Sequence, residues 1–264
     1  MVPDPATEIT RLLDIMARLR DPETGCPWDI EQSFSTIAPF TIEEAYEVAD
    51  AIDRGAMEEL PGELGDLLLQ TVYHTQMGQE AGLFNFASVT KSISDKMIAR
   101  HPHVFGTESR DKSATQQTAD WEKIKATERQ GRTLDGVALG LPALLRAVKL
   151  QKRAARVGFD WPDISMVLDK LQEEARELTE ARETLTQAEI TDELGDLLFV
   201  MANLARHLHV DPEAALRGAN AKFTRRFAHI ENALAAIGKT PAQSDLAEMD
   251  ALWNAAKQSE RNPD

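Results

Sequence analysis

The sequence has a single cysteine, Cys26, among its 264 residues. One cysteine excludes an internal disulfide framework. The sequence also lacks an N-terminal apolar run of signal-peptide or transmembrane length. From these two absences we expect a soluble, cytoplasmic protein that has no membrane partner.

Basic residues are scarce compared with acidic ones. Lysine and arginine together number 29 against 44 aspartates and glutamates, which gives a net charge of −15. A chain of this charge is an unfavourable partner for a nucleic-acid polymer or an anionic membrane. A small anionic ligand would need positive charge concentrated at its site.

Strand-like alternation is also missing, and nearly every long segment has helical periodicity. The sequence therefore predicts an all-α fold. A chain of this length can form two domains of about 130 residues each. Breaking residues cluster at several points, and the cluster richest in glycine is "RQGRTLDGVALGLP". We accordingly predict an N-terminal domain over 1–130, a linker over 131–142 and a C-terminal domain over 143–264.

An internal repeat links the two predicted domains. The hexapeptide "ELGDLL" occurs at 63–68 and again at 193–198. In both copies it follows a Glu-Glu-x-x-Glu motif, "EEAYE" or "EEARE", after 15 intervening residues. Downstream, "DKMIARH" matches "AKFTRRF" and "WEKIK" matches "WNAAK". The chain is therefore predicted to be a tandem duplication.

The repeated motifs place acidic residues on matching helix faces. Residues three apart share a face, so Glu174 projects with Glu177, and Glu193 projects with Asp196. An antiparallel hairpin of the two helices would bring the four acids together. Because 197–202 is apolar all round, we expect a buried second helix, on which acids cost several kcal/mol unless a cation compensates them.

The donor type restricts the cation. Carboxylate oxygens without histidine or thiolate suit Mg²⁺, with Mn²⁺ possible, rather than zinc. A di-iron site is a weaker interpretation because it would use Glu-x-x-His pairs. Gly195, between the acids, costs roughly 1 kcal/mol of helix propensity and would let a helix or ligand approach closely. The alternative for any one acid pair is a plain solvated helix face.

Taken together, the motifs resemble the MazG family of nucleoside triphosphate pyrophosphohydrolases, which is all-α. The resemblance spans essentially the full chain. It implies Mg²⁺-dependent hydrolysis of ribo- and deoxynucleoside triphosphates between the α and β phosphates, releasing monophosphate and pyrophosphate. It also implies a homodimer. A partner hairpin, from the other chain or from the other repeat, would complete each helix bundle.

The resemblance carries over to individual positions. Glu174, Glu177, Glu193 and Asp196 are the expected metal ligands. Residues expected to contact the nucleotide, chiefly its phosphates, are Lys170, Lys222, Arg225, Arg226, Trp253 and Lys257. No residue is identified as a general base. Plain surface or packing roles remain the alternative for the cations and the tryptophan.

The first repeat keeps a corresponding set: Glu44, Glu47, Glu63, Asp66, Lys96, Arg100, Trp121 and Lys125. It has Phe40 at the position of Lys170 and Ala99 at the position of Arg225. The first 130 residues carry a net charge of −11, and the remainder −4. We therefore expect the main catalytic site in the second repeat and a weaker or inactive site in the first.

The sequence is also compatible with a function other than catalysis. An acidic helical repeat protein can bind nucleotides, or another protein, as a regulatory or scaffolding module without hydrolysing anything. Retention of Lys222, Arg226 and Trp253 beside the acids favours the enzyme.

Overall fold

The structure is a computed structural model that describes residues 3–127, 131–184 and 186–260. Helices dominate these ranges, and no strand occurs in them. The predicted all-α class is therefore confirmed. No helix in the described ranges is long and apolar enough to cross a bilayer.

The chain divides into two compact units, Met1–Arg129 and Gln130–Asp264. The units share one arrangement, in which a first helix, a helical hairpin and two further long helices follow one another, and this confirms the tandem duplication. The first contains α1 (Pro5–Leu19), α2 (Pro27–Glu31), α3 (Phe34–Arg54), α4 (Leu60–Glu80), α5 (Phe86–Arg100), α6 (Pro102–Phe105) and α7 (Ala114–Thr127). The second contains α8 (Ala143–Ala155), α9 (Ile164–Thr184), α10 (Gln187–His207), α11 (Pro212–Ala236), a 3₁₀ turn (Pro241–Gln243) and α12 (Leu246–Ser259).

The segment predicted as a linker, 131–142, has contacts of its own within the second unit. Val137 is buried, and the Arg153 guanidinium donates hydrogen bonds to the carbonyls of Asp135 and Gly136. The predicted domain limits stay a prediction.

The central element of each unit is a helical hairpin, formed by α3 with α4 and by α9 with α10. Local sequence sets the ends of these helices. Ser33 caps α3 in a reciprocal capping box with Thr36, and Thr186 caps α10 in the same way with Glu189. Gly55, at φ 69°, ends α3 in the left-handed region. These caps fix where each hairpin turns and hence which acids face each other.

The first helix of each unit packs on the second helix of the hairpin. Met16 of α1 lies with Val72, Tyr73 and Met77 of α4 in the first core. In the second unit, Ala147 and Val148 of α8 lie against Ala202 of α10. Both cores lie in the C-terminal half of the hairpin's second helix, which leaves the N-terminal half, where the acids are, accessible.

An arginine–carboxylate pair also ties each hairpin to the segment that precedes it. In the first unit, Arg20 at the end of α1 donates to Glu80 at the end of α4, at 2.7 Å. In the second unit the direction is reversed, because Arg206 near the end of α10 donates to Asp160 before α9, at 2.9 Å. Each pair holds its hairpin in register with its neighbours.

The expectation that α10 is buried over 197–202 is wrong for a single chain. Val200 and Ala202 are buried, but Leu198, Phe199 and Met201 are between 43% and 50% exposed. The apolar composition of 197–202 indicated residues that avoid water. It did not indicate which surface they pack against. An apolar face of the hairpin is thus left uncovered by the rest of its own unit.

Candidate functional site

The structure brings three of the predicted metal ligands in the second repeat together. Glu174 and Glu177 project from α9 and Glu193 projects from α10, and each offers one oxygen within 4.8 Å of the other two. Glu174 is 5% exposed, whereas the other two are half-buried. Asp196, one turn beyond Glu193, is exposed. We call Glu174, Glu177, Glu193 and Asp196 the second carboxylate cluster.

Crowding of like charges defines the electrostatics of this cluster. Burial, followed by the charges of Glu177, Glu174 and Asp196, raises the pKa of Glu193. A carboxyl whose pKa is raised by neighbouring carboxylates is relieved by a bound cation. The cluster is therefore arranged to accept positive charge.

Lys170 already supplies some of that charge. Its ammonium lies 2.7 Å from an oxygen of Glu174 and 2.8 Å from an oxygen of Glu173. The hydrogen bonds that Lys170 donates to Glu173 and Glu174 raise the pKa of Lys170, so it is charged at neutral pH. The i, i+4 spacing of Lys170 and Glu174 was visible in the sequence, but their ion pair was not predicted.

The first repeat has an equivalent group, the first carboxylate cluster. Glu44 of α3 and Glu63 and Asp66 of α4 each offer an oxygen within 4.8 Å of the others. The fourth member, Glu47, is exposed. Burial first, and then a hydrogen bond with Glu47, raises the pKa of Glu44. Burial and the charges of Glu47 and Asp66 likewise raise the pKa of Glu63.

The surroundings of the two clusters differ at one helical position. Phe40 occupies the place of Lys170 and packs edge-on against Trp28, with ring centroids 6.3 Å apart. Arg54, at the other end of α3, bonds to Asp50 and Glu59. An aromatic ring thus stands where the second cluster has an ammonium.

The glycines of both "ELGDLL" segments border open space. A Cβ added at Gly65 or at Gly195 would meet no heavy atom within 4 Å. Neither glycine is therefore required by packing within its own unit. This is the behaviour expected of a position kept small for a ligand or a second helix.

The predicted nucleotide-binding residues of the second repeat, apart from Lys170, lie on a different pair of helices. Lys222, Arg225 and Arg226 are on α11, and Trp253 and Lys257 are on α12, which packs against α11. The guanidinium of Arg226 lies over the Trp253 ring, 5.4 Å from its centroid. Their roles in binding stay predictions.

The sequence did not indicate a role for Glu260, a carboxylate in this region. Glu260 accepts hydrogen bonds from both Arg225 and Arg226, with closest distances of 2.7 Å. No spacing rule indicates this pairing, because Glu260 is 34 residues from Arg226 in the chain.

The corresponding residues of the first repeat lie on α5 and α7. Lys96 and Arg100 are on α5, and Lys96 is exposed. Trp121 and Lys125 are on α7. The side chain of Lys125 lies outside the described residues.

The donor set of each cluster fits a hard divalent cation. Among the residues that the structure describes, only carboxylate oxygens converge at each cluster, and such donors suit Mg²⁺ or Mn²⁺ rather than zinc. In the second cluster, one of these oxygens belongs to a buried side chain, where an uncompensated charge is costly.

Comparison with known proteins agrees with this geometry. The model of the MazG nucleotide pyrophosphohydrolase domain matches residues 32–105 and 164–230, which include both hairpins. The nucleoside triphosphate pyrophosphohydrolase of Escherichia coli K12 is 51% identical over 96% of this chain and 98% of its own. In Thermotoga maritima, the nucleoside triphosphate pyrophosphohydrolase/pyrophosphatase MazG is 41% identical over 93% of this chain and 94% of its own. The uncharacterised protein YabN of Bacillus subtilis is 42% identical over 96% of this chain, and only 52% of its own length is covered. This chain, with a MazG domain in each of its two repeats, belongs to the MazG nucleotide pyrophosphohydrolase family.

Proposed function

We propose that this protein hydrolyses nucleoside triphosphates, ribo and deoxy alike, to nucleoside monophosphates and pyrophosphate. The bond broken is the one between the α and β phosphates. The main support is the second carboxylate cluster. Its two helices belong to a MazG domain and bring three carboxylates close together. Two relatives that span nearly the same length are named as enzymes of this reaction. Clearing surplus or noncanonical nucleotides is the role that fits a broad substrate range.

The second carboxylate cluster would hold Mg²⁺, with Mn²⁺ as a substitute. Bound there, Mg²⁺ supplies positive charge to the phosphate oxygens and acidity to an attacking water. Lys222, Arg225 and Arg226 would hold phosphate oxygens, with Lys170 reaching the same phosphates from α9. Trp253 would lie beside the nucleotide, and Lys257 one turn on would meet its phosphates.

Turnover is assigned mainly to the second repeat. Phe40 and Ala99 replace Lys170 and Arg225 in the first repeat, and the first repeat is also the more negative. Fewer cations and more negative charge both disfavour a triphosphate. The first repeat would bind metal or nucleotide weakly and contribute to assembly.

Assembly as a homodimer would cover the apolar hairpin face. Leu198, Phe199 and Met201 are exposed in one chain, and a partner hairpin would complete a four-helix arrangement. A net charge of −15 disfavours both a nucleic-acid polymer and an anionic membrane, so we expect neither as a partner. The cytoplasm is the compartment that we infer.

The decisive assay incubates the protein with each nucleoside triphosphate and Mg²⁺, and separates pyrophosphate from orthophosphate. Monophosphate with pyrophosphate is the expected result. Diphosphate with orthophosphate would contradict the assigned bond. Unchanged nucleotide despite measurable binding would instead support the regulatory or scaffolding module.

A matched pair of variants locates the turnover. Glu193→Gln removes one carboxylate from the second cluster, and Glu63→Gln removes its counterpart in the first. We expect at least a hundredfold loss of kcat from Glu193→Gln and less than a threefold loss from Glu63→Gln, since loss of electrostatic stabilisation costs a few kcal/mol. Equal losses would contradict the assignment to the second repeat.

A further inference from the structure

Lys170 forms an ion pair inside the second carboxylate cluster. Its ammonium contacts Glu174 at 2.7 Å and Glu173 at 2.8 Å. Glu174 is the buried member of the cluster, at 5% exposure. The least solvated carboxylate of the cluster therefore has an ammonium as its partner.

The first carboxylate cluster provides the natural comparison. Phe40 precedes Glu44 by four residues, as Lys170 precedes Glu174. The ring of Phe40 is 40% exposed and packs against Trp28. The two clusters thus have similar carboxylates. Arg54 acts on Glu63 of the first cluster through its charge, whereas Lys170 contacts the buried carboxylate of the second cluster directly.

We propose that Lys170 is an internal countercharge, which competes with the divalent cation for Glu174 and transfers to the triphosphate when metal and nucleotide bind together. This inference rests on the proposed function. A fixed positive charge beside the site repels a divalent cation, so metal alone binds less tightly than the four carboxylates would allow. Once a triphosphate arrives, the ammonium has a more strongly charged partner.

The geometry makes this exchange easy. The lysine precedes the glutamate by one turn, which is the weaker order for an i, i+4 ion pair. The Lys170 side chain is 32% exposed, so solvent screens the pair. Its flexible stem lets the ammonium leave Glu174 while Glu173 keeps it near the cluster.

Coupling between ligands follows from this exchange. A nucleotide that draws Lys170 away from Glu174 raises the affinity of the cluster for metal, and metal raises the affinity for nucleotide by the same factor. The first carboxylate cluster, with Phe40, lacks this device. Lys170 therefore favours the arrival of metal and nucleotide together.

Mn²⁺ binding to nucleotide-free, full-length protein tests the proposal. Free Mn²⁺ is followed by electron paramagnetic resonance in a Glu63→Gln, Asp66→Asn background, which disables the first cluster. We expect Lys170→Met to lower the Mn²⁺ Kd about tenfold, which corresponds to about 1.4 kcal/mol. Lys170→Arg retains the charge and should stay within about twofold of the parent, since the charge is what repels the metal.

Two further variants serve as controls. Lys239→Met removes a lysine whose partner is Glu248, at 3.0 Å on α12, and should leave Mn²⁺ binding unchanged. Phe40→Lys, made in a Glu193→Gln, Asp196→Asn background, installs the countercharge in the first cluster and should weaken its Mn²⁺ binding. Addition of a nonhydrolysable triphosphate should then tighten Mn²⁺ binding more in the Lys170 parent than in Lys170→Met.

The outcomes separate this inference from the proposed function. If the parent binds Mn²⁺ and the Kd of Lys170→Met is unchanged or higher, the inference is overturned and the proposed function is not. Equal tightening by the triphosphate in parent and Lys170→Met also overturns it. Failure of every variant to bind Mn²⁺, with or without the triphosphate, overturns the inference and the proposed function together.

Discussion

Replacing Gly195 by alanine tests why a glycine stands between two acids of a long helix. A Cβ at this position meets no heavy atom within 4 Å, so the methyl group fits within the unit. Alanine is favoured over glycine inside a helix by about 1 kcal/mol. For a unit of about this size, that difference raises the melting temperature by roughly 4 °C.

Activity should change in the opposite direction. If Gly195 is kept small so that substrate or a second helix can approach the carboxylates, the same methyl group obstructs that approach. We expect at least a tenfold loss of kcat/KM, which is about 1.4 kcal/mol of transition-state stabilisation. Calorimetric melting and the initial rate of pyrophosphate release measure the two effects.

Gly65→Ala is the matched control. Gly65 lies in the same hexapeptide of the first repeat and also borders open space. It should give the same gain in stability with turnover unchanged. A stabilised Gly195→Ala protein with full activity would refute the role given to the glycine. A destabilised variant would refute the claim that a methyl group fits at this position.

Two other perturbations give sharp expectations. Burial alone would raise the pKa of Asp160, but the hydrogen bond from Arg206 and the charges of Arg206 and His207 outweigh it and lower the pKa. The pair therefore stabilises the fold above the ordinary pKa of an aspartate and loses that contribution as the pH falls through the lowered value. Asp160→Asn should lower the free energy of unfolding, measured with urea at neutral pH, by about 1 to 2 kcal/mol, and its difference from the parent should shrink in acid. A difference that does not depend on pH would contradict the pairing. Glu260→Gln should free Arg225 and Arg226 to bind phosphate and lower the KM for nucleotide about threefold. The kcat should not rise, because stronger binding of substrate and transition state alike changes KM alone. An unchanged KM would show that Glu260 does not compete with phosphate for these arginines.

The convergence of three of the four acids in each cluster followed from the sequence because it depends on helix geometry. A spacing of three residues places Glu174 with Glu177, and a short turn between amphipathic helices folds α9 onto α10. The first carboxylate cluster was predicted from the duplicated motifs, which place the same spacing in the first repeat. Whether the convergent carboxylates bind metal stays a prediction.

Contacts between distant segments did not follow from the sequence. The ion pair of Arg206 with Asp160 and that of Arg226 with Glu260 join residues 46 and 34 positions apart. Neither pair has a periodic signal, because each is set by how separate helices pack. The exposure of Phe199 was unexpected for a related reason, since apolar periodicity does not distinguish a partner in the same chain from one in another.

The central claim is that the carboxylates of α9 and α10 hold the ion that presents a triphosphate to water. Anomalous diffraction at the manganese edge, from crystals soaked with Mn²⁺ and a nonhydrolysable triphosphate, tests it most directly. We expect a manganese peak bonded to Glu174, Glu177 and Glu193 and to phosphate oxygens. Those carboxylates pointing into bulk solvent, with manganese and triphosphate bound elsewhere, would contradict it.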